Sequence, residues 1–407
     1  MYADSIIAQR IAAIEAAEQV KLIRYDNVAE MVAHLDALWM AKTGQLSRPL
    51  NRAESNFVRN ELLLSLCDFR HWSTNYGRIQ LDGGGFGAPT LWASQQRLME
   101  YVAKAEIGAW EARQRGWKPS GIRILNHKAR QLGSTAISRL LTMHRMCFSR
   151  HINCMAASID DDKVKELYDR DKRIYDNLPW WMRPAMLFDE KSAHIQFGEL
   201  DTTLLYQQSQ QKSGLGQGRQ FVVSHLTEVA SWANPQIIAL DFIPTIPQSV
   251  QTLVILESTA QGRGNWWHEY TEETRRGEHP EWTYVFIPWY IEASKYRSHP
   301  PDAWRPSPIS LAHAAKVLET SPTWAGRTVD LDRDQLYWYE LGRASAQKAG
   351  ELNIFLTNFC ATPEESFQHT TVASFSPELL DKLRLDTRPP KYYFEPSGLN
   401  EPEVAIA

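Results

Sequence analysis

The fold prediction for this chain rests on residues 122–147, which read IRILNHKARQLGSTAISRLLTMHRMC. The apolar run Ile122–Leu125 is typical of a β-strand, and the residues from Thr135 to Cys147 have the spacing of an amphipathic helix. A short loop that contains Gly133 joins the two. Backbone N–H groups at the N-terminus of such a helix bind anions, so the stretch predicts a phosphate-binding loop.

The loop matches the usual phosphate-binding pattern, GxxxxGK[ST], only in part. Gly133 occupies the second glycine position, and Thr135 occupies the position of the hydroxyl that binds Mg²⁺. Lys128 stands at the first glycine position and Ser134 at the usual lysine position. Lys128 or Arg130 can restore the missing positive charge. An ordinary strand–turn–helix without a ligand is the alternative interpretation.

Strands and helices alternate after this loop, which predicts an α/β fold with a mostly parallel sheet. Further strands are expected at 152–157, 221–224 and 252–256, and helices at 95–110 and 161–178. Ligands of such sheets bind at the carboxyl ends of the strands. The residues that follow these strands are therefore the candidate site residues.

The strand expected at 221–224 continues into a segment that ends in a carboxylate, Glu228. NTPases of this architecture use an acidic pair there, because Asp orders the Mg²⁺ shell and Glu activates the attacking water. Thr227 stands at the Asp position, where its hydroxyl can accept from a metal-bound water but brings no charge. Glu228 is the candidate catalytic base, and a solvent-exposed glutamate at a strand end is the alternative.

A third candidate segment, ESTAQGRGN at 257–265, follows the strand expected at 252–256. Ser258 and Thr259 lie at the strand end, beside a glycine-rich turn. Side chains at the carboxyl end of a parallel strand face the ligand cleft. These two residues are therefore candidates for sensing the γ-phosphate of a bound nucleotide.

Together, the three segments resemble the large terminase family of phages. Residues 128–133 are similar to that family's phosphate loop, including its displaced lysine, and residues 226–232 resemble its acidic strand end. Residues 257–265 resemble its coupling motif, the most specific of the three, and residues 332–338 and 362–367 match the stretch towards its nuclease. Order and spacing agree over roughly residues 60–370. Asn358–Ala361 departs from the family, which commonly has Glu-Tyr-Pro there.

The resemblance implies a P-loop NTPase of the ASCE type, with a mostly parallel central sheet flanked by helices, an N-terminal helical region and a small lid. It implies an ATPase motor that couples ATP hydrolysis to the translocation of double-stranded DNA into the procapsid. ATP and Mg²⁺ are the implied cofactors. The implied partners are double-stranded DNA, the portal protein, the small terminase subunit and further copies of this chain in a ring. The expected location is the host cytoplasm, docked transiently on the procapsid and without a membrane.

The resemblance also implies roles for individual residues. An upstream glutamine is expected to contact the adenine, and Gln95 fits this role because apolar residues follow it at helical spacing. Catalysis is assigned to Glu228 and to Arg219, which is expected to act on a neighbouring subunit; a flexible loop arginine without that role is the alternative for Arg219. The remaining roles are phosphate binding by Lys128, Ala129, Arg130, Gln131, Leu132, Gly133, Ser134 and Thr135, metal binding by Thr135 and Thr227, and coupling by Ser258, Thr259 and Ala260.

The expected domain order is a helical region at 1–80, the ATPase core at 81–290, a lid or linker at 291–370 and a linker at 371–407. Full-length family members continue into a nuclease domain, for which a chain that ends at Ala407 has no room. We therefore expect no nuclease activity, whether the sequence is a truncated form or a natural product without that domain.

Composition restricts the function less than the motifs do. The chain has 44 Lys and Arg and 48 Asp and Glu, and this net charge of −4 argues against a protein that coats DNA passively. None of the four cysteines has the spacing of a zinc site, and no apolar run approaches the ~20 residues that span a bilayer.

Two alternatives remain: another P-loop translocase or helicase-like ATPase, or a non-hydrolysing assembly adaptor. Ser134 and Thr227, which replace the usual Lys and Asp, favour the adaptor.

Overall fold

The structure is a computed structural model that describes residues 4–81, 84–117, 121–190, 193–210, 214–216, 218–367, 392–395 and 403–406. Most of the predicted linker at 371–407 lies outside these ranges.

Helices dominate the chain before the main sheet. Two of them begin at residues whose side chains satisfy free backbone N–H groups: Asn51 and Glu54 form a reciprocal capping box, and Asp68 accepts from the N–H groups of Arg70 and His71. Two short antiparallel strand pairs join these helices. The elements are α1 (Asp4–Glu18), α2 (Val28–Leu38), β1 (Trp39–Met40), β2 (Gln45–Leu46), α3 (Arg52–Cys67), α4 (Phe69–Asn75), β3 (Ile79–Gln80), β4 (Phe86–Gly87) and α5 (Ala93–Gln114).

The main sheet has eight strands in the order β12-β5-β11-β10-β6-β9-β8-β7. The strands from β12 to β9 are parallel, and β8 and β7 continue the sheet through antiparallel pairs. The elements are β5 (Ile122–Lys128), α6 (Ser134–Phe148), β6 (Asn153–Ser158), α7 (Asp161–Asp176), β7 (Met186–Glu190), β8 (His194–Phe197), β9 (Thr202–Gln208), β10 (Val223–Thr227), β11 (Leu253–Ser258), α8 (Trp266–Arg275) and β12 (Thr283–Ile287).

This order confirms the predicted α/β fold with a mostly parallel sheet. Strand β11 lies between β5, which leads into the predicted phosphate loop, and β10, which leads to Glu228. The carboxyl ends of β5, β11 and β10 consequently meet at one edge of the sheet.

The two faces of the sheet pack against different layers. Ile122 and Ile124 of β5 belong to a large core cluster that includes residues of α3 to α7, whereas Leu125 belongs to a second cluster around Trp267 of α8. Every residue of β10 and β11 is buried. Both strands also bury polar side chains, among them His225 in β10 and Glu257 in β11.

The chain after the sheet returns to the large cluster. Its helices are α9 (Pro308–Ala325), α10 (Arg333–Lys348), α11 (Leu352–Asn358) and α12 (Pro363–Phe367), and the last described strands are β13 (Tyr392–Glu395) and β14 (Glu403–Ile406), an antiparallel pair. Val317, Leu336, Tyr339 and Phe355 from these helices are buried in the same core as the sheet. Among the described helices, none has the length and apolar character needed to cross a bilayer.

Candidate functional site

A cleft of about 1080 Å³ opens at the carboxyl ends of the parallel strands. Most of the residues predicted for the site line it, although they come from four separate parts of the chain. The predicted residues in its wall are Gln95, Lys128, Arg130, Gln131, Leu132, Gly133, Ser134, Thr135, Glu228 and Thr259. The sequence prediction that these segments meet is therefore consistent with the geometry.

The phosphate loop turns between β5 and α6 through two residues with positive φ, Gln131 at 57° and Gly133 at 70°. Gly133 is the N-cap of α6. A Cβ at this position would lie 2.6 Å from Nε2 of Gln95. Both the left-handed conformation and the close approach of Gln95 thus require glycine at position 133.

The first part of this loop is fixed by backbone hydrogen bonds. The N–H of Ala129 donates to the carbonyl of Ile287 over 2.8 Å, and the N–H of Arg130 donates to the carbonyl of Asn358 over 2.8 Å. These two N–H groups are therefore committed within the protein. The N–H groups that can face an anion belong to the later part of the loop and the first turn of α6. Ala129 is fully buried and is not among the residues that line the cleft in the described part of the chain.

Positive side chains surround the cleft. Lys128 is only 6% exposed, and Arg130 is exposed at the start of the loop. Lys163 and Arg170 reach the cleft from α7, and Lys295 reaches it from the chain that precedes α9. The carboxylates in the wall are Asp160 and Glu228. This excess of positive charge suits a polyphosphate ligand.

Gln95 contacts the phosphate loop directly. Its Nε2 donates to the carbonyl of Gly133 over 3.2 Å, and its Oε1 accepts from the N–H of Trp92 over 2.9 Å. The side chain is 3% exposed, and both polar atoms of its amide form hydrogen bonds. It is therefore fixed against the loop, whereas its predicted contact with adenine stays a prediction.

Glu228 lines the cleft directly after β10, in an unusual backbone conformation. Its φ of 58° and ψ of 32° are left-handed, and its carbonyl accepts from the N–H of Ser231 in a 3₁₀ turn at Val229–Ser231. A non-glycine residue in this region costs roughly 1–2 kcal/mol. Such strain is concentrated at functional sites, where the side chain has to point in a particular direction.

The residues predicted to couple hydrolysis to movement lie at the end of β11. Oγ of Ser258 accepts from the N–H of Ala230 over 3.0 Å. Ala230 belongs to the 3₁₀ turn that begins directly after Glu228. Thr259 lines the cleft, and Ala260 is buried behind it. The end of β11 is thus bonded to the segment that positions Glu228.

Arg219 lies elsewhere. It is exposed in the described loop at 218–220, and among the described residues it is not part of the cleft wall. Its N–H is 3.4 Å from the carbonyl of Gly216. The predicted role of Arg219 on a neighbouring copy stays a prediction, and an exposed loop arginine without a catalytic role is the alternative interpretation.

Sequence reasoning did not assign a role to Glu257, which the structure joins to the site. Its Oε1 accepts from Oγ1 of Thr135 over 2.6 Å and from Oγ1 of Thr227 over 2.9 Å. Glu257 is fully buried, and Nε2 of His225 lies 3.4 Å from the same oxygen. A carboxylate within an apolar strand was the available signal, but it was interpreted only as part of the coupling motif.

The surroundings of Glu257 favour the ionised form of its carboxyl. Burial alone would raise the pKa of this carboxyl, but His225, Lys128 and the hydroxyl of Thr135 outweigh burial and lower the pKa to about 2. The charge therefore stays on Glu257 directly behind the hydroxyl of Thr135. No group of three or more His, Cys, Asp or Glu able to hold a metal ion occurs in the described ranges. Mg²⁺ is usually held by one or two protein groups together with substrate phosphates and water.

No protein-family model matches the chain, and no curated protein matches it. Among solved structures, the HK97 bacteriophage large terminase is 11% identical, with a TM-score of 0.40, over 82% of this chain and 53% of that protein. The chain thus spans about half the length of the HK97 protein.

Two further solved structures are similar at comparable levels. The ATPase domain of the Thermus phage P74-26 large terminase is 14% identical, with a TM-score of 0.34, over 45% of this chain and 87% of that domain. The large terminase of a thermophilic bacteriophage, solved in complex with ADP, is 15% identical, with a TM-score of 0.35, over 50% of this chain and 47% of that protein. All three are phage large terminases or the ATPase domain of one, the family that the motifs of this chain resemble.

Proposed function

We propose that this chain is an ATPase motor of the large terminase type, which couples ATP hydrolysis to the translocation of double-stranded DNA into a procapsid. The observation that carries the proposal is that Glu228 and the phosphate loop line one cleft, from strands separated by β11. A base and a phosphate site that face each other across one cleft are what hydrolysis of a nucleotide requires.

The loop and the first turn of α6 are the proposed phosphate site. The N–H groups near Gly133, Ser134 and Thr135 lie at a helix N-terminus, where an anion is stabilised by the helix dipole. Lys128 and Arg130 neutralise the phosphate charge that the usual lysine would neutralise. Gln95 is proposed to contact the adenine while it holds Gly133 in place.

Oxygen groups that suit Mg²⁺ also lie beside the N-terminus of α6. The hydroxyls of Thr135 and Thr227 both face Oε1 of Glu257, and a hard cation prefers oxygen ligands of this kind. Thr135, and Thr227 through a water, are the groups proposed to hold the ion. Mg²⁺ when bound neutralises charge on the phosphate oxygens.

Glu228 is proposed to activate the attacking water. Its carboxylate accepts a proton from the water as the water oxygen bonds to the γ-phosphorus, and the bond to the β,γ-bridging oxygen breaks to release ADP and phosphate. The hydrogen bond between Ala230 and Ser258 supports a coupling role for β11, because displacement of the turn after Glu228 is passed directly to Ser258.

Arg219 is proposed to act in trans, which requires a ring of identical subunits. An arginine supplied by a neighbour contributes about 10³–10⁵-fold in rate in other P-loop enzymes. Double-stranded DNA, the portal protein and the small terminase subunit are the proposed partners in the host cytoplasm.

Hydrolysis of ATP, measured with and without linear duplex DNA, tests this proposal. Glu228→Gln keeps the shape of the side chain but cannot accept the proton, so we expect turnover to be lost while ATP binding is retained. Glu319→Gln, which changes an exposed glutamate on α9, is the matched control and keeps wild-type turnover.

Unchanged turnover in Glu228→Gln contradicts the assignment of the base. If the wild-type chain binds ATP but does not hydrolyse it even with portal and procapsid present, the adaptor alternative is correct. Strand separation without packaging would identify a helicase-like translocase instead.

A further inference from the structure

Glu257 contacts the hydroxyls of two threonines, and no sequence motif assigns a role to these contacts. We propose that Glu257 supplies the acidic group of the Mg²⁺ site, in place of the aspartate whose position on β10 is occupied by Thr227. The inference rests on the proposed ATPase function and adds a positioning residue from a different strand.

The pairing register of β10 and β11 explains how a carboxylate on β11 can take the place of one on β10. Thr227 and Glu257 are directly opposite each other in the parallel pair of β10 and β11. Adjacent strands are about 4.8 Å apart, so a glutamate on β11 can reach towards the place that a shorter aspartate on β10 would occupy. The hydrogen bond from Thr227 to Glu257 shows that the two side chains meet there.

The direction of the hydrogen bonds fits a metal site. A threonine hydroxyl has one proton and two lone pairs. Thr135 gives its proton to Glu257, so the lone pairs of its oxygen remain available to a cation. Thr135 itself lines the cleft. Glu257 therefore fixes Thr135 as an acceptor facing the cleft and places a negative charge directly behind it.

The second carboxylate oxygen provides an independent indication. Oε2 of Glu257 is buried, and it has no hydrogen-bond partner among the described residues. A buried charged oxygen without a partner is costly and calls for an explanation. A cation held beside Thr135 would offset this cost, because the attraction between two charges in a buried site does not require direct contact.

A purely structural role is the competing explanation. His225 lies 3.4 Å from Glu257, and a buried pair of this kind can serve packing alone. The two roles differ in what they change: a structural pair affects stability, whereas a metal-positioning carboxylate changes how strongly Mg²⁺ improves nucleotide binding.

The test measures ADP affinity of the full chain in Mg²⁺ and in EDTA. For the wild type we expect Mg²⁺ to tighten binding. In Glu257→Gln we expect the affinity in EDTA to be retained and the Mg²⁺ enhancement to fall by roughly 10–100-fold, the usual effect of losing a second-shell partner. Glu319→Gln, which changes the exposed glutamate on α9, is the comparison variant, and it keeps the enhancement.

The double variant Thr227→Asp with Glu257→Gln returns the carboxylate to β10. We expect it to restore the Mg²⁺ enhancement, which a role limited to packing against His225 would not do. Far-UV circular dichroism and thermal unfolding in EDTA establish that each variant is folded. If Glu257→Gln alone does not fold, the double variant still decides the matter.

The outcomes separate the inference from the proposed function. A wild-type chain that binds no nucleotide contradicts the function itself. A folded Glu257→Gln that keeps the full Mg²⁺ enhancement overturns the inference alone, as does a double variant that folds without recovering it. A wild-type complex with Mn²⁺ and ADP must also show anomalous density no more than one water molecule from Glu257.

Discussion

At the scale of single residues, the site depends on backbone conformations that most side chains avoid. Glu228 is left-handed without being glycine, and Gly133 is left-handed with Gln95 directly against it. The strained backbone at Glu228 positions a carboxylate. The backbone at Gly133 is not strained, because glycine has no side chain. The two positions therefore tolerate different substitutions.

Gly133→Ala is expected to weaken ADP binding and to lower the free energy of unfolding by roughly 1–2 kcal/mol. The added Cβ would approach Nε2 of Gln95 to 2.6 Å at a φ of 70°, so the loop has to move. Isothermal titration with ADP and denaturant unfolding measure the two effects.

Gly277→Ala is the matched control, because Gly277 has a φ of 82° and nothing within 4 Å of an added Cβ. It is expected to lose stability but keep wild-type ADP affinity. Equal loss of affinity in the two variants would show that Gly133 acts through stability and not through the loop.

Residue-level function was only partly predictable from the sequence. The predicted phosphate loop and Glu228 could be proposed because their signals are local, a glycine before a helix and an acid after a strand, and both line the cleft. Glu257 was missed because its partners, Thr135 and Thr227, are distant in the chain and meet it only across the sheet. Residues that bond to each other across neighbouring strands have no fixed separation along the chain, so no sequence pattern marks them.

At the scale of elements, the strands that were predicted are those buried on both faces. β5, β6, β10 and β11 are almost wholly buried, whereas β7, β8 and β9 have partly exposed side chains and lie towards one edge of the sheet. The strand expected at 221–224 is found at Val223–Thr227, closer to Glu228. Tertiary pairing, which single-strand patterns do not record, decided these differences.

The packing of α6 on α4 leads to a pH prediction. His144 of α6 is buried against Phe69 and Trp72, and its Nε2 donates to the carbonyl of Ser65. Burial lowers the pKa of His144 from about 6.5 to about 3. As the pH falls through about 6.5, His144 therefore takes up a proton in the unfolded chain but not in the folded chain.

The free energy of unfolding should consequently fall as the pH decreases from about 6.5 towards 3. His144 alone accounts for up to about 1.4 kcal/mol per pH unit in this window. His144→Gln keeps an N–H donor but does not titrate, and we expect a shallower pH dependence of stability by one proton. Denaturant unfolding at several pH values from 7 to 4 measures this. Parallel curves for the two proteins would contradict the assignment.

At the scale of the whole molecule, the helices after the sheet are part of its core. The carbonyl of Asn358 accepts from the N–H of Arg130, the second residue after β5, and Oγ of Ser366 in α12 is 2.9 Å from Nε2 of His127 in β5. The region expected to be a lid at 291–370 therefore contacts the phosphate loop and its strand. Whether it moves as a lid stays a prediction.

Removal of this region is expected to unfold the sheet. A chain that ends at Pro288 loses the buried side chains of Val317, Leu336, Tyr339 and Phe355 and the Asn358 carbonyl that fixes Arg130. We expect it to bind a hydrophobic dye, unfold without cooperativity and bind no ADP, measured by fluorescence, calorimetry and titration. A chain that ends at Phe367 is the control and unfolds cooperatively. Wild-type ADP affinity in the shorter chain would show that the region is separable.

The contact between Glu257 and Thr135 has a consequence for how degenerate relatives are classified. Search patterns for this kind of enzyme record an acidic pair along one segment, and a chain with Thr227 at the first position fails such a pattern. In the site proposed above, the charge would lie instead on the neighbouring strand, at Glu257, 30 residues further along the chain than Thr227. Loss of an acid at its usual alignment column is therefore a poor criterion for an inactive pseudoenzyme. The facing strand has to be inspected before activity is denied.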